Sequence, residues 1–248
     1  MSPAAENSPG PSSFFARVTG VFATPGRTFE DAVRHPRFFA PLLASLILAA
    51  GFWGVVYLKM GLPGMAVAVV QELRRGTLVR QDEVDFALQF SGALPPLILI
   101  GSASAILVHV LIVAWAGARL ADLFFSVSPR LRAALSVACY AYLAKTIVQT
   151  FLGIAMVLFG DIDRLSFGNL LPTNIAFFLD PKDVSRTLYA LLQSLDLVQL
   201  WYFTLLGIGL AADSDERAAP AVMATSLAAL WLGWNVFSAA FRDLLFPS

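Results

Sequence analysis

What most constrains this chain is a series of long runs with almost no charge. Residues 39–58 carry none, and 94–118 hold only His109 among titratable side chains. Residues 219–240 are uncharged, while 133–159 and 187–212 are interrupted once each, by Lys145 and by Asp196. About 20 mostly apolar residues wound as a helix cross the hydrocarbon core of a bilayer. The backbone of such a segment satisfies its own hydrogen bonds, the condition for residence in lipid.

Composition points the same way. The chain of 248 residues is 58% apolar and 14% charged, with a mean hydropathy of +0.72. A soluble domain carries about 25% charged residues, and a water-facing surface could not accommodate this much apolar material. The predicted fold class is therefore an all-α polytopic membrane protein. It is a bundle of about five transmembrane helices (about 39–58, 94–118, 133–159, 187–212 and 219–240) with interfacial amphipathic helices beside it.

Three segments are expected along the chain: a disordered tail at 1–12, an amphipathic cytoplasmic or interfacial segment at 13–37, and the five-span domain at 38–248. The tail is rich in Pro, Ser and Ala and lacks the basic and apolar regions of a signal peptide. Phe14, Phe15, Val18, Val21 and Phe22 share one helical face, which suits a helix lying in the membrane interface or packed on the bundle. Pro25-Gly26 breaks that helix, and Thr28 with Asp31 has the spacing of a capping box for a second one ending before Pro36. The 62–93 and 160–186 connections hold apolar stretches too short to span, which predicts surface-lying helices.

Orientation is read from the basic flanks. Arg27, Arg34 and Arg37 precede the first span, whereas only Lys59 closely follows it, and Arg119, Arg130 and Arg132 lie in the 118–132 loop. This predicts a cytoplasmic N-terminus and a C-terminus on the far side. Arginine supplies 14 of the 17 basic residues, a usage that hints at a GC-rich bacterial genome, and the expected location is a bacterial inner (plasma) membrane.

Several functions are excluded. A net charge of zero gives no basic footprint for nucleic acid. One cysteine, Cys139, and two histidines cannot build a Cys- or His-based metal centre. No nucleotide loop, nucleophile elbow or zinc-protease helix is present, so no catalytic, cofactor or metal residues are expected. Asp213, Asp215 and Glu216 read as a solvated turn.

The polar residues inside the apolar runs remain. Lys or Asp at a helix centre costs about 2.5–3.5 kcal/mol on insertion scales, so such residues face the bundle and pair. Tyr142, Lys145 and Gln149 share one helical face, as do Tyr189, Gln193, Asp196 and Gln199. With His109, Ser102, Asn235 and Ser238 they form a predicted intramembrane polar seam. Its candidate site residues are His109, Lys145, Gln149, Gln193, Asp196, Gln199 and Asn235, and Lys145 is expected to pair with Asp196. Interhelical packing is one role for such a seam, and a path for a substrate or ion is another.

Two stretches carry a family resemblance. "FATPGRTFEDAVRHPRFFAPL" has a Pro-x-x-x-Phe element (Pro25 to Phe29), a short helix and a proline entry into the first span. "LDLVQLWYFTLLGIGLAADSDERAAPAVMATSLAALWLGW" has Asp196, Trp201 and a Leu-Leu-x-x-Gly-Leu ending at Leu205, Leu206, Gly209 and Leu210, then a polar turn and a last span. Together these resemble the Yip family of five-span membrane proteins, named for interacting with Ypt/Rab GTPases, over most of 14–240. The chain departs from the pattern at "YAYLAKTIVQ", where Lys145 stands in place of a Pro or apolar residue. The resemblance implies a non-enzymatic adaptor or organiser of membrane components. Its partners would be the lipid bilayer and either another protein or a second copy. Rab binding belongs to eukaryotic relatives and is not carried to a bacterial-type member. The alternative is a small permease or channel using the seam around Lys145 and Asp196.

Overall fold

A computed structural model describes residues 12–73, 80–126, 130–160, 169, 171–179, 183–212 and 219–245. The tail up to residue 11 and the 213–217 turn lie outside them. Among the described residues the chain is helical throughout, with nine α-helices, two short 3₁₀ turns and no strand.

Helix α1 (Phe14–Ala23) starts at Ser13, whose hydroxyl accepts from the Ala16 amide, and α2 (Pro25–Arg34) starts on Pro25 at its first turn. The two pack as a hairpin against α6 and α8. Phe29 and Ala32 of α2 are fully buried, as is Val21 of α1. Gly209 makes this close approach feasible: a Cβ there would meet Val137 of α6 and stand 3.0 Å from the Phe29 ring. Phe15 faces outward and Phe22 lies against Trp201 at 5.5 Å between ring centroids. The amphipathic face is thus divided, with Phe14, Val18 and Val21 turned to protein and Phe15 turned away from it.

Helix α3 (Phe39–Leu73) contains a kink. Gly61 has φ +67°, which only glycine adopts without strain, and Pro63 follows. Beyond the kink Met65, Ala66, Ala68 and Val70 are buried, so this apolar stretch packs on protein. Helix α4 (Gln81–Gln89) leads into α5 (Leu94–Phe125), and Ser126 in the left-handed region closes α5. Then come α6 (Leu131–Phe159), α7 (Arg186–Ser194), α8 (Leu197–Ala211) and α9 (Pro220–Leu245).

Four of these helices are long and apolar enough to cross a membrane, over Phe39–Gln71, Ser91–Phe125, Leu131–Phe159 and Pro220–Phe241. Their outer faces carry Ile47, Leu111, Phe151 and Phe237, all exposed, as lipid contact requires. In place of one continuous 187–212 helix, the structure has α7 and α8 separated at Leu195–Asp196. Helix α8 alone, at 15 residues, spans about 22 Å, short of the roughly 30 Å hydrocarbon core. It is nevertheless the centre of the bundle, with Tyr202, Leu205, Leu206 and Leu210 buried among α5, α6, α9 and the hairpin.

Candidate functional site

The break before α8 has a definite chemical cause. Asp196 has extended backbone and acts as the N-cap of α8, one carboxylate oxygen accepting from the Gln199 amide at 2.8 Å. Its other oxygen accepts from the Thr173 hydroxyl. The Leu197 amide, which has no helical partner there, donates to the Thr173 carbonyl at 2.9 Å, and Asn174 forms an isolated bridge with Asp196. A carboxylate inside a continuous helix would find no free amide, whereas a helix start offers several. The segment after α6 therefore folds back to the break and supplies the bonds that the helix gives up.

Around this break lies a cavity of about 360 Å³. Six of the seven candidate residues line it: Lys145, Gln149, Gln193, Asp196, Gln199 and Asn235. His109 does not. It lies within hydrogen-bonding distance of the Tyr202 hydroxyl at 3.1 Å and stands beside the rings of Tyr142 and Trp231.

The expected Lys145–Asp196 ion pair is replaced by a relay. The Lys145 ammonium donates to Gln199 Oε1 at 2.6 Å, and the Gln199 backbone amide donates to Asp196. Among the described residues no ion pair joins Lys145 to Asp196. The reason is local: Asp196 turns toward the helix start it caps, and Gln199, one turn on, occupies the space between. The Lys145 ammonium also lies over the rings of Tyr202 and Tyr142, 5.2 and 5.6 Å from their centroids, a stabilising placement for a cation. Lys145 is fourteen residues from either end of α6, about 21 Å along the axis.

Two buried donors at this site have no partner among the described residues, Gln199 Nε2 and Trp231 Nε1. Both belong to residues lining the cavity. The Gln199 amide orientation follows from its neighbour, because the ammonium demands the oxygen. Asn235 donates to the Trp231 carbonyl at 2.8 Å and so is partly committed to its own helix.

Sequence reasoning missed three contributors. Asn169 and Asn174 line the cavity from the segment after α6; Asn174 Nδ2 donates to Asn169 Oδ1 at 2.8 Å, and Asn169 Nδ2 donates to the Tyr189 hydroxyl at 3.1 Å. Trp231 lines the cavity from α9. Asn174 left a weak signal as the cap of a short turn, accepting from the Phe177 amide. Among the described residues no group of three His, Cys, Asp or Glu could hold a metal.

A second polar cluster holds the hairpin, and it too was missed. Arg17 is 1% exposed and donates to Asp31 at 2.7 Å and to the His35 carbonyl at 2.9 Å, with its guanidinium 5.7 Å from the Tyr140 ring centroid. His35 Nδ1 and Ser12 also bond the Asp31 carboxylate. Burial raises the Asp31 carboxyl, but the hydrogen bonds from Ser12, Arg17 and His35 and the Arg17 charge outweigh it and hold Asp31 below its usual value.

Compared with known families, residues 19–236 match the model described as Yip1 domain. No curated protein and no solved structure matches the chain.

Proposed function

The chain belongs to the Yip1 domain family, and from that premise we propose that it is a non-enzymatic membrane protein that admits a small polar ligand into its bundle. This is the permease-type reading. The observation that carries it is the cavity at the α7–α8 break, where polar residues from α6, α7, α8 and α9 converge and two buried donors are left unpartnered among the described residues. Residues serving only to lock helices together would consume one another's hydrogen bonds. Broken helices beside a polar cavity also build the binding sites of many membrane transporters. On this reading α7 and α8 together make one crossing, the chain spans the membrane five times, and the N-terminus is cytoplasmic in a bacterial inner membrane. The Arg27, Arg34 and Arg37 flank supports that orientation.

Thermal unfolding of the purified protein in detergent tests the reading, with inorganic phosphate, acetate, glycine and choline as separate additives. At least one should raise the midpoint, and Lys145→Met should abolish the rise. No response to any of the four would refute it. The adaptor or organiser role is the second reading, favoured by the docked α1–α2 hairpin that presents Phe15 at 77% exposure. It would be supported by a protein partner crosslinked through Phe15 in native membranes and lost on Phe15→Glu.

A further inference from the structure

The polar cavity has a neighbour. A second cavity of about 360 Å³ is lined by Phe52 and Trp53 of α3, Ala105 and Ile106 of α5, and Thr146 of α6. Gln149 and Leu171 line both cavities, so the two chambers abut. Their chemistry differs. The second is walled by aromatic and aliphatic side chains of α3 and α5, and α6 adds Tyr142, Thr146 and Thr150; all three helices are long and apolar enough to span. Ala105 is exposed and Phe52 and Trp53 are half-buried, so the wall that α3 and α5 give this chamber reaches the surface of the bundle.

The first chamber has donors in excess. Its lining holds the Lys145 ammonium, and two further lining residues carry buried donors, Gln199 Nε2 and Trp231 Nε1, that have no partner among the described residues. Asp196, the one carboxylate among the described lining residues, already accepts from the Gln199 amide and the Thr173 hydroxyl. A guest there must bring acceptor oxygens, best with negative charge. A guest that also fills the second chamber must carry hydrocarbon.

We propose that the paired chambers bind one anionic lipid, with its phosphate or carboxylate head at Lys145, Gln199 and Trp231 and its chain along Phe52, Trp53 and Ile106. This rests on the polar-ligand reading above and names the class of ligand. The abutting walls at Gln149 and Leu171 are where the head joins the chain. Lipid as the source fits an apolar chamber whose α3 and α5 wall reaches the surface of the bundle.

The test uses the full-length protein in phosphatidylcholine nanodiscs with phosphatidic acid bearing a photoreactive diazirine in its acyl chain. Crosslinks should map to α3 and α5 peptides around Phe52, Trp53 and Ile106. Lys145→Met should cut labelling about tenfold or more, the loss of one hydrogen bond to a charged group. Gln199→Glu keeps a partner for Lys145 but repels an anion, so it should cut labelling in a protein whose unfolding midpoint is preserved. Ala105→Phe should block the chain while leaving stabilisation by inorganic phosphate intact. Equal labelling by diacylglycerol carrying the same diazirine chain would overturn the proposal, because the head would then contribute nothing. Stabilisation by inorganic phosphate with no lipid labelling would overturn it while leaving the polar-ligand reading standing. If neither lipid nor any of the solutes acts, both fall.

Discussion

Replacing Gln199 with Leu should be costlier than removing the lysine it serves. In the native protein the Lys145 ammonium, 9% exposed, has Gln199 Oε1 at 2.6 Å as its hydrogen-bond acceptor. Leucine leaves that charge buried with only the faces of Tyr142 and Tyr202 beside it. Breaking a buried charged interaction from one side costs about 3–5 kcal/mol, and the ring faces return about 1–2 of that. A net loss of about 1–4 kcal/mol lowers the midpoint by about 2–16 °C for a chain of this size. Lys145→Met removes the charge itself and leaves only a neutral amide short of partners, about 1–3 kcal/mol. The double variant Lys145→Met/Gln199→Leu removes both polar groups and should recover part of the Gln199→Leu loss. The assay is a double-mutant cycle in detergent by thermal unfolding. The Lys145–Asp196 cycle should give the smaller coupling, since those two residues meet only through Gln199. Additive losses for Lys145 and Gln199, or a stronger coupling to Asp196, would refute the relay.

Three further outcomes follow from the hairpin and its seat. Arg17→Met leaves the Asp31 carboxylate without its cation and should free α1–α2 from the bundle while the spans stay inserted, read as protease cleavage near Thr24; continued protection would mean the apolar contacts of Phe29 and Val21 suffice. Because the folded state holds Asp31 below its ordinary value, its contribution is present above the unfolded carboxyl range near pH 4 and is lost as pH falls through the lowered native value. Amide exchange in α1 should therefore accelerate only in acid below about pH 4, and Asp31→Asn should remove that pH dependence. Gly209→Ala drives a methyl into Val137 and the Phe29 ring and should cost about 1–3 kcal/mol, whereas Gly101→Ala, inside α5 with nothing within 4 Å, should be neutral to slightly stabilising in the same thermal assay.

Much of this protein was legible from local pattern. An uncharged run such as 39–58 has one stable environment, and hydropathy summed along the chain suffices to find it. The seam was legible for the same reason in reverse: Lys145, Gln149, Asp196 and Gln199 cost free energy in lipid and must turn inward, and helical spacing says which of them share a face. The sequence also held a clue to the hairpin, since Arg17 interrupts the apolar face of Phe14, Val18 and Val21. Its meaning depended on Asp31, a residue on the next helix.

Only the tertiary structure decided where the fourth apolar run stops being one helix. A break inside a membrane bundle is tolerated when other groups replace the lost hydrogen bonds, and here they come from Thr173 and Asn174, two dozen residues upstream of Leu197 and Asp196. No periodicity within 187–212 encodes a partner at that distance. The same nonlocal contact moved Asp196 off Lys145, put Gln199 between them and opened the cavity. The sequence alone determined which side chains must be kept from lipid, because that is a property of each residue and its neighbours along the chain. Which of them satisfy one another, and which are left unpartnered among the described residues, was settled by segments that meet only when the chain is folded.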